Sequence, residues 1–188
     1  YEQQINAYFD DPARRAQLVE SISRLVRIRS VREEPQPGMP FGPGPAAALD
    51  EALKLAGELG FATKNYDNYV GAVDLNDKDT ALHILCHLDV VGEGTGWTVT
   101  EPYEPKEVDG MLYGRGTDDD KGPAVAALLA MQAVRDLGVP LKHNVRLLLG
   151  TDEESGSSDI EYYYGKEPYA PCTFSPDEDE DCIRRFLI

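Results

Sequence analysis

Apolar residues recur at helical spacing over residues 12–28, "PARRAQLVESISRLVRI", where Leu18, Ile22, Leu25 and Val26 share one face. The stretch "REEPQPGMPFGPGP" breaks that rhythm with prolines and glycines and reads as a surface connection. "AAALDEALKLAGELG" then predicts a second amphipathic helix, stopped by Gly60. Beyond it the period shortens. "FATKNY", "VGAVDL", "ALHILCH", "HNVRLLLG" and "CTFS" read as strands, with the third and fourth apolar enough to be buried. Residues 97–113 read as a looped or hairpin region with an Asp-Gly turn in "VDGMLY", and "GPAVAALLAMQAVRDLG" as a helix closed by Gly138. Strands alternating with helices predict an α/β fold, a mostly parallel (mixed) sheet flanked by helices.

Charge narrows the partners. The 188 residues hold 34 Asp plus Glu against 18 Lys plus Arg, a formal charge of −16. Nucleic acid and anionic membrane surfaces both demand a basic patch, so neither is expected as a partner. The excess acid leaves two readings: a solvated acidic surface, or acids that converge on a cation. No run approaches the roughly 18 apolar residues of a membrane span, and the first twenty residues lack the basic head and apolar core of a signal peptide. Cys86, Cys172 and Cys182 show no paired spacing, which points to a reducing cytoplasm, with Cys86 as a small core residue.

In open α/β sheets, sites gather outside the carboxyl ends of strands. After "ALHILC" come His87 and Asp89. After "HNVRLLLG" come Asp152, Glu153 and Glu154. After "CTFS" comes Asp177, and the row Asp118, Asp119, Asp120 opens a helix. Each piece alone has a plain structural explanation, and an acidic row at a helix start is favoured by the dipole. Together they would crowd carboxylates at about 1.4 kcal/mol per unit of pKa shift, a cost that a divalent cation removes. An EF-hand fails, because counting from Asp118 places Leu129 at the twelfth position. Imidazole with carboxylates suits zinc, with manganese or cobalt as substitutes, and the surplus of acids suits a two-metal site. Residues two apart on a strand share a face, so Asp89 can orient the His87 ring. Of Glu153 and Glu154, one can bind metal while the other acts as general base for a metal-bound water. His83 and His143 read as structural.

"HLDVV", "GRGTDDDKGP", "GTDEESG" and "FSPD" resemble, in order and spacing, the successive motifs of the zinc-dependent aminoacylase–carboxypeptidase–dipeptidase family of metallopeptidases. The upstream "FGPGPAAALDEALKLAGELGFATKNYDNYVG" is similar to its dipeptidase branch, the peptidase V-type and carnosinase-like enzymes. The resemblance implies zinc-dependent hydrolysis of dipeptides, so a small peptide is the expected partner. It implies that His87, Asp119, Glu154 and Asp177 are metal ligands, with Asp119 bridging two zinc ions. Asp89 would orient His87, and Glu153 would be the general base. It further implies a cis peptide after the bridging aspartate, with Asp118 and Asp120 as neighbours of the ligand. Residues 1–177 would be the N-terminal part of the catalytic domain and 178–188 a divergent acidic tail. The family's lid domain and its returning C-terminal half, which supplies a further histidine ligand, have no counterpart in these residues. Three readings therefore stand: a dipeptidase, a catalytically inert metal-binding portion of one, or an acidic interaction module.

Overall fold

The structure is a computed structural model and describes residues 1–176. Helix α1 (Glu2–Phe9) and helix α2 (Pro12–Val26) open the chain, and α2 begins where Asp11 accepts from Ala13 N at 2.9 Å ahead of Pro12. Helix α3 (Pro43–Glu58) ends before Gly60, whose φ of 86° suits a residue without a Cβ. Strands β1 (Ala62–Tyr66), β2 (Val70–Asp74) and β3 (Thr80–His87) follow, then the short strands β4 (Lys106–Val108) and β5 (Met111–Tyr113). Helix α4 (Lys121–Asp136), strand β6 (Asn144–Gly150), a 3-10 turn (Glu153–Ser155), helix α5 (Ser158–Tyr164) and strand β7 (Cys172–Phe174) complete the described chain.

The main sheet has the order β1-β2-β6-β3-β7. Among the described residues, parallel pairing is confined to β6–β3 and β3–β7, while β1–β2 and β2–β6 run antiparallel. The sheet is thus mixed, and its parallel part includes β3 and β6, the two strands that lead to the described acidic loops. Among the described residues strands β4 and β5 pair only with each other, and Asp109 and Gly110 take positive φ at their turn.

Side chains of β6 alternate between two cores. Leu147 and Leu149 face the larger one with Leu25 and Val26 of α2, Leu49 and Leu55 of α3, and Val125 and Leu128 of α4. Leu148 faces the smaller one with Tyr66, Val70, Ala72 and Tyr163 of α5. Burying each of these leucines contributes about 2 kcal/mol, so a strand covered on both faces has little freedom to slip in register. Cys86 is buried in the larger core, as its strand pattern implies, and Cys172 is exposed. Cys182 lies outside the described residues. No helix among the described residues is long and apolar enough to cross a membrane.

Candidate active site

Strands β3 and β6 end level, with His87 paired to Gly150. The chain leaving β3 carries Asp89, the chain leaving β6 carries Asp152, Glu153 and Glu154, and the turn ahead of α4 carries the aspartate row. The His87 Nε2 atom lies 3.0 Å from Asp119 Oδ1 and 3.8 Å from Glu153 Oε2. Four of the residues singled out by sequence, His87, Asp89, Asp119 and Glu153, thus meet at one rim of the sheet.

The aspartate row separates into distinct roles. Asp118 and Asp119 are exposed, whereas Asp120 is fully buried and its Oδ2 accepts from His87 N at 3.0 Å. Asp120 therefore ties the end of β3 to the start of α4. The Asp119–Asp120 peptide is cis. Next in the chain, Lys121 is buried and donates from Nζ to the carbonyl oxygens of Leu25 at 3.0 Å and Ile28 at 2.7 Å. Gly122 packs so closely that a Cβ there would stand 2.0 Å from the Thr117 carbonyl oxygen. These contacts fix the turn from both sides and aim Asp119 at the imidazole.

Asp89 is buried beneath the rim. Its Oδ1 accepts from Glu153 N at 3.2 Å and its Oδ2 from Glu154 N at 3.1 Å. His87 Nδ1 lies 3.1 Å from the Asp89 carbonyl oxygen and 3.4 Å from Oδ1. The Asp89 main-chain oxygen is thus the nearer partner of the ring, while its carboxylate holds the backbone of the two glutamates. Burial alone lowers the His87 pKa, but Asp89, Asp120 and Asp119 outweigh it and raise it to about 10. Burial raises the Glu154 carboxyl, reinforced by the negative charges of Asp119 and Asp89 and opposed by His87 and a backbone bond to Val91. Glu154 thus belongs to the same electrostatic group.

Asp177, the remaining expected ligand, lies outside the described residues. His83 is buried with Nδ1 2.9 Å from the Tyr164 hydroxyl, and His143 is exposed, so both stand away from the group. The roles of Asp120, Lys121 and Asp159 are ones that sequence reasoning missed. A row of like residues hides which member turns inward, and a buried lysine reads as a surface residue by type. A cleft of about 350 Å³ lies alongside, reaching from His87, Asp120 and Glu153 to Ile160, Tyr164 and Tyr169.

An imidazole nitrogen and a carboxylate oxygen 3.0 Å apart, with the ring oriented from its far side, are donors of the kind that bind zinc-like cations. Among the described residues no group of three or more His, Cys, Asp or Glu closes into a metal centre. The donor chemistry of His87 and Asp119 fits a divalent cation, and these two side chains would supply two of its ligands.

Known proteins resemble the chain in sequence and fold. A Bacillus subtilis protein named "Putative dipeptidase YtjP" is 40% identical over 164 residues, 86% of this chain and 35% of that protein. Relatives in Staphylococcus aureus and Staphylococcus haemolyticus, whose names carry the same description, are 36% identical over 169 residues. Human carnosine dipeptidase 1 superposes with a TM-score of 0.72 at 28% identity, over 88% of this chain and 37% of that one. An M20 family metallo-carboxypeptidase of Sulfolobus solfataricus shares the fold, with a TM-score of 0.69 at 23% identity over 85% of this chain and 37% of that one. The chain spans about a third of the length of the relatives it matches. The pattern of Peptidase family M20/M25/M40 matches residues 83–181, more than half of the sequence and all of the rim from β3 to the loop after β6, and the chain belongs to that family.

Proposed function

We propose that this chain carries the cation-holding part of a dipeptidase that hydrolyses the peptide bond of small dipeptides. The observation that carries the reading is the His87–Asp119 approach of 3.0 Å beside Glu153, in a chain of this peptidase family. His87, Asp119, Glu154 and Asp177 would hold the metal, with zinc as the first choice and manganese or cobalt as substitutes. When bound, such a cation supplies Lewis acidity, polarising the scissile carbonyl and making a water more acidic. Glu153, more than a third exposed at the rim, takes a proton from the attacking water. It then returns that proton to the leaving amine, so the C–N bond breaks and one carboxyl and one amine are formed. Asp89 holds the Glu153 backbone and the His87 ring in register during this transfer.

The net charge of −16 supports a small-molecule partner over nucleic acid or a membrane surface. The spacing of its three cysteines supports a cytoplasmic setting. A second reading rests on the third-length match to the relatives: a cation-binding portion that does not turn over by itself. Incubating the chain with Zn²⁺ or Mn²⁺ and simple dipeptides, and following free amino acid release, separates the two. Release that Glu153→Gln abolishes supports the dipeptidase, and cation uptake without release supports the second reading. No cation uptake in calorimetry overturns both.

A further inference from the structure

Four consecutive backbone amides, those of Thr151, Asp152, Glu153 and Glu154, donate to just two buried carboxylates. Asp89 takes the last two. Asp159 takes the first two on a single oxygen, Thr151 N at 2.6 Å and Asp152 N at 3.1 Å from Oδ2, while its Oδ1 accepts from Ile160 N at 2.8 Å. The Asp159 side chain is fully buried. A buried carboxylate is tolerated only when its oxygens are satisfied by donors, and here they are satisfied by main chain alone. Were Asp159 simply a helix cap, its bonds would go to the amides of α5. Only one does; the other two cross to the segment that leaves β6.

The opposite bonds run back. Asp152 Oδ2 accepts from Ser158 Oγ at 2.5 Å and from Ser158 N at 3.3 Å, and its Oδ1 takes a short bond from Arg32 Nη1. The first turn of α5 and the segment after β6 are therefore cross-bonded in both directions. Gly150 completes the fit, because a Cβ at that position would stand 2.4 Å from Asp159 Oδ2. Its φ is not in the left-handed region, so the close approach of the carboxylate, and not the backbone conformation, is what requires glycine there.

We propose that Asp159 is a positioning residue for Glu153 and Glu154, anchoring the strand exit from which both glutamates are presented to the cation and the substrate. The inference rests on the reading of Glu153 as base and Glu154 as ligand. Two variants remove the anchor by different routes. Asp159→Asn removes the charge, and Gly150→Ala displaces the carboxylate while leaving Asp159 in the sequence. Amide hydrogen exchange by NMR and calorimetric titration with Mn²⁺ alone are the readouts. Both variants are expected to speed exchange at Thr151 and Asp152 by about tenfold, to shift the Glu153 and Glu154 amide signals, and to weaken Mn²⁺ uptake roughly tenfold to a hundredfold. The amides of Leu147 to Leu149 keep their protection.

Unchanged Mn²⁺ affinity in both variants overturns the proposal, and so does equal acceleration across the β6 amides, which would assign Asp159 to general stability. If the unaltered chain takes up no Mn²⁺, the reading of the site fails. The anchor is then judged by the Glu153 and Glu154 amide signals, whose staying in place in both variants overturns it.

Discussion

Lys121 closes the carboxyl end of a helix other than its own: its Nζ donates to the Ile28 carbonyl oxygen at 2.7 Å, just beyond the end of α2, and to that of Leu25 at 3.0 Å. The side chain is fully buried, and burial lowers its pKa to about 7 against the opposing charge of Asp89. It pins the first residue of α4 to α2, two positions after Asp119. Lys121→Met leaves those carbonyls without this donor and is expected to cost about 2 kcal/mol, read as a lower midpoint in urea unfolding. An unchanged midpoint would show that the bond adds nothing net.

Gly122 admits no larger residue without moving the turn, because the obstacle to a Cβ is the Thr117 main chain and not a flexible side-chain tip. Gly122→Ala is expected to lower stability by roughly 1–3 kcal/mol and to loosen the approach of Asp119 to His87. Thermal denaturation reads the first effect. Mn²⁺ titration reads the second, as weaker uptake.

His83 gives the fold an acid sensitivity separate from the active-site rim. Burial lowers its pKa, Arg146 lowers it further, and Asp74 and Glu167 oppose that shift. The folded state therefore favours neutral imidazole, and the unfolded chain binds the proton first, near pH 6.5. Stability is full above about pH 6.5 and declines as pH falls through the depressed folded pKa. His83→Gln should flatten that part of the decline, measured as the variant's difference from the parent in urea unfolding at successive pH values. Parallel curves would contradict it.

If His87 holds the proposed cation, its proton and that cation would compete for the same ring nitrogen. With the pKa raised to about 10, the imidazolium's contribution to stability in the cation-free chain is complete below the unfolded value and is lost as pH rises through about 10. Mn²⁺ affinity should accordingly rise about tenfold per pH unit between about pH 6 and 8. Asp89→Asn removes the main raising influence, so the dependence should move to lower pH. Calorimetry in buffers of differing ionisation enthalpy would count the released proton, and a count of zero would refute the competition.

Much of this architecture was legible from pattern. The apolar run "ALHILCH" and the alternating demands of "NVRLLLG" became β3 and β6, and the acidic loops fell beyond their carboxyl ends, as strand geometry requires. The meeting of His87 with Asp119 followed from that placement. Helix α1 was not legible, because "EQQINAYF" buries no residue and so has no apolar stripe to betray it. Helix α5 was missed because "SDIEYYY" is short and aromatic, with only Asp159 and Tyr163 buried. The antiparallel joining of β2 to β6 also escaped notice, since both strands are apolar enough to suit either direction. Least visible was the division among like residues. Nothing in "TDDDK" says that Asp119 meets the His87 ring from the exposed rim while Asp120 bonds the backbone of His87, because that choice is made by tertiary contacts of Lys121 and Gly122.

The level ending of β3 and β6 restricts where the chain can tolerate a change of length. Adding or deleting one residue within either strand would turn His87 or its neighbours to the wrong side of the sheet and part the imidazole from Asp119. The β4–β5 hairpin forms a two-stranded sheet of its own among the described residues and holds Asp109 and Gly110 exposed at its tip. Its tip is the place to graft a reporter peptide, where extra residues can be accommodated while the rim keeps its spacing.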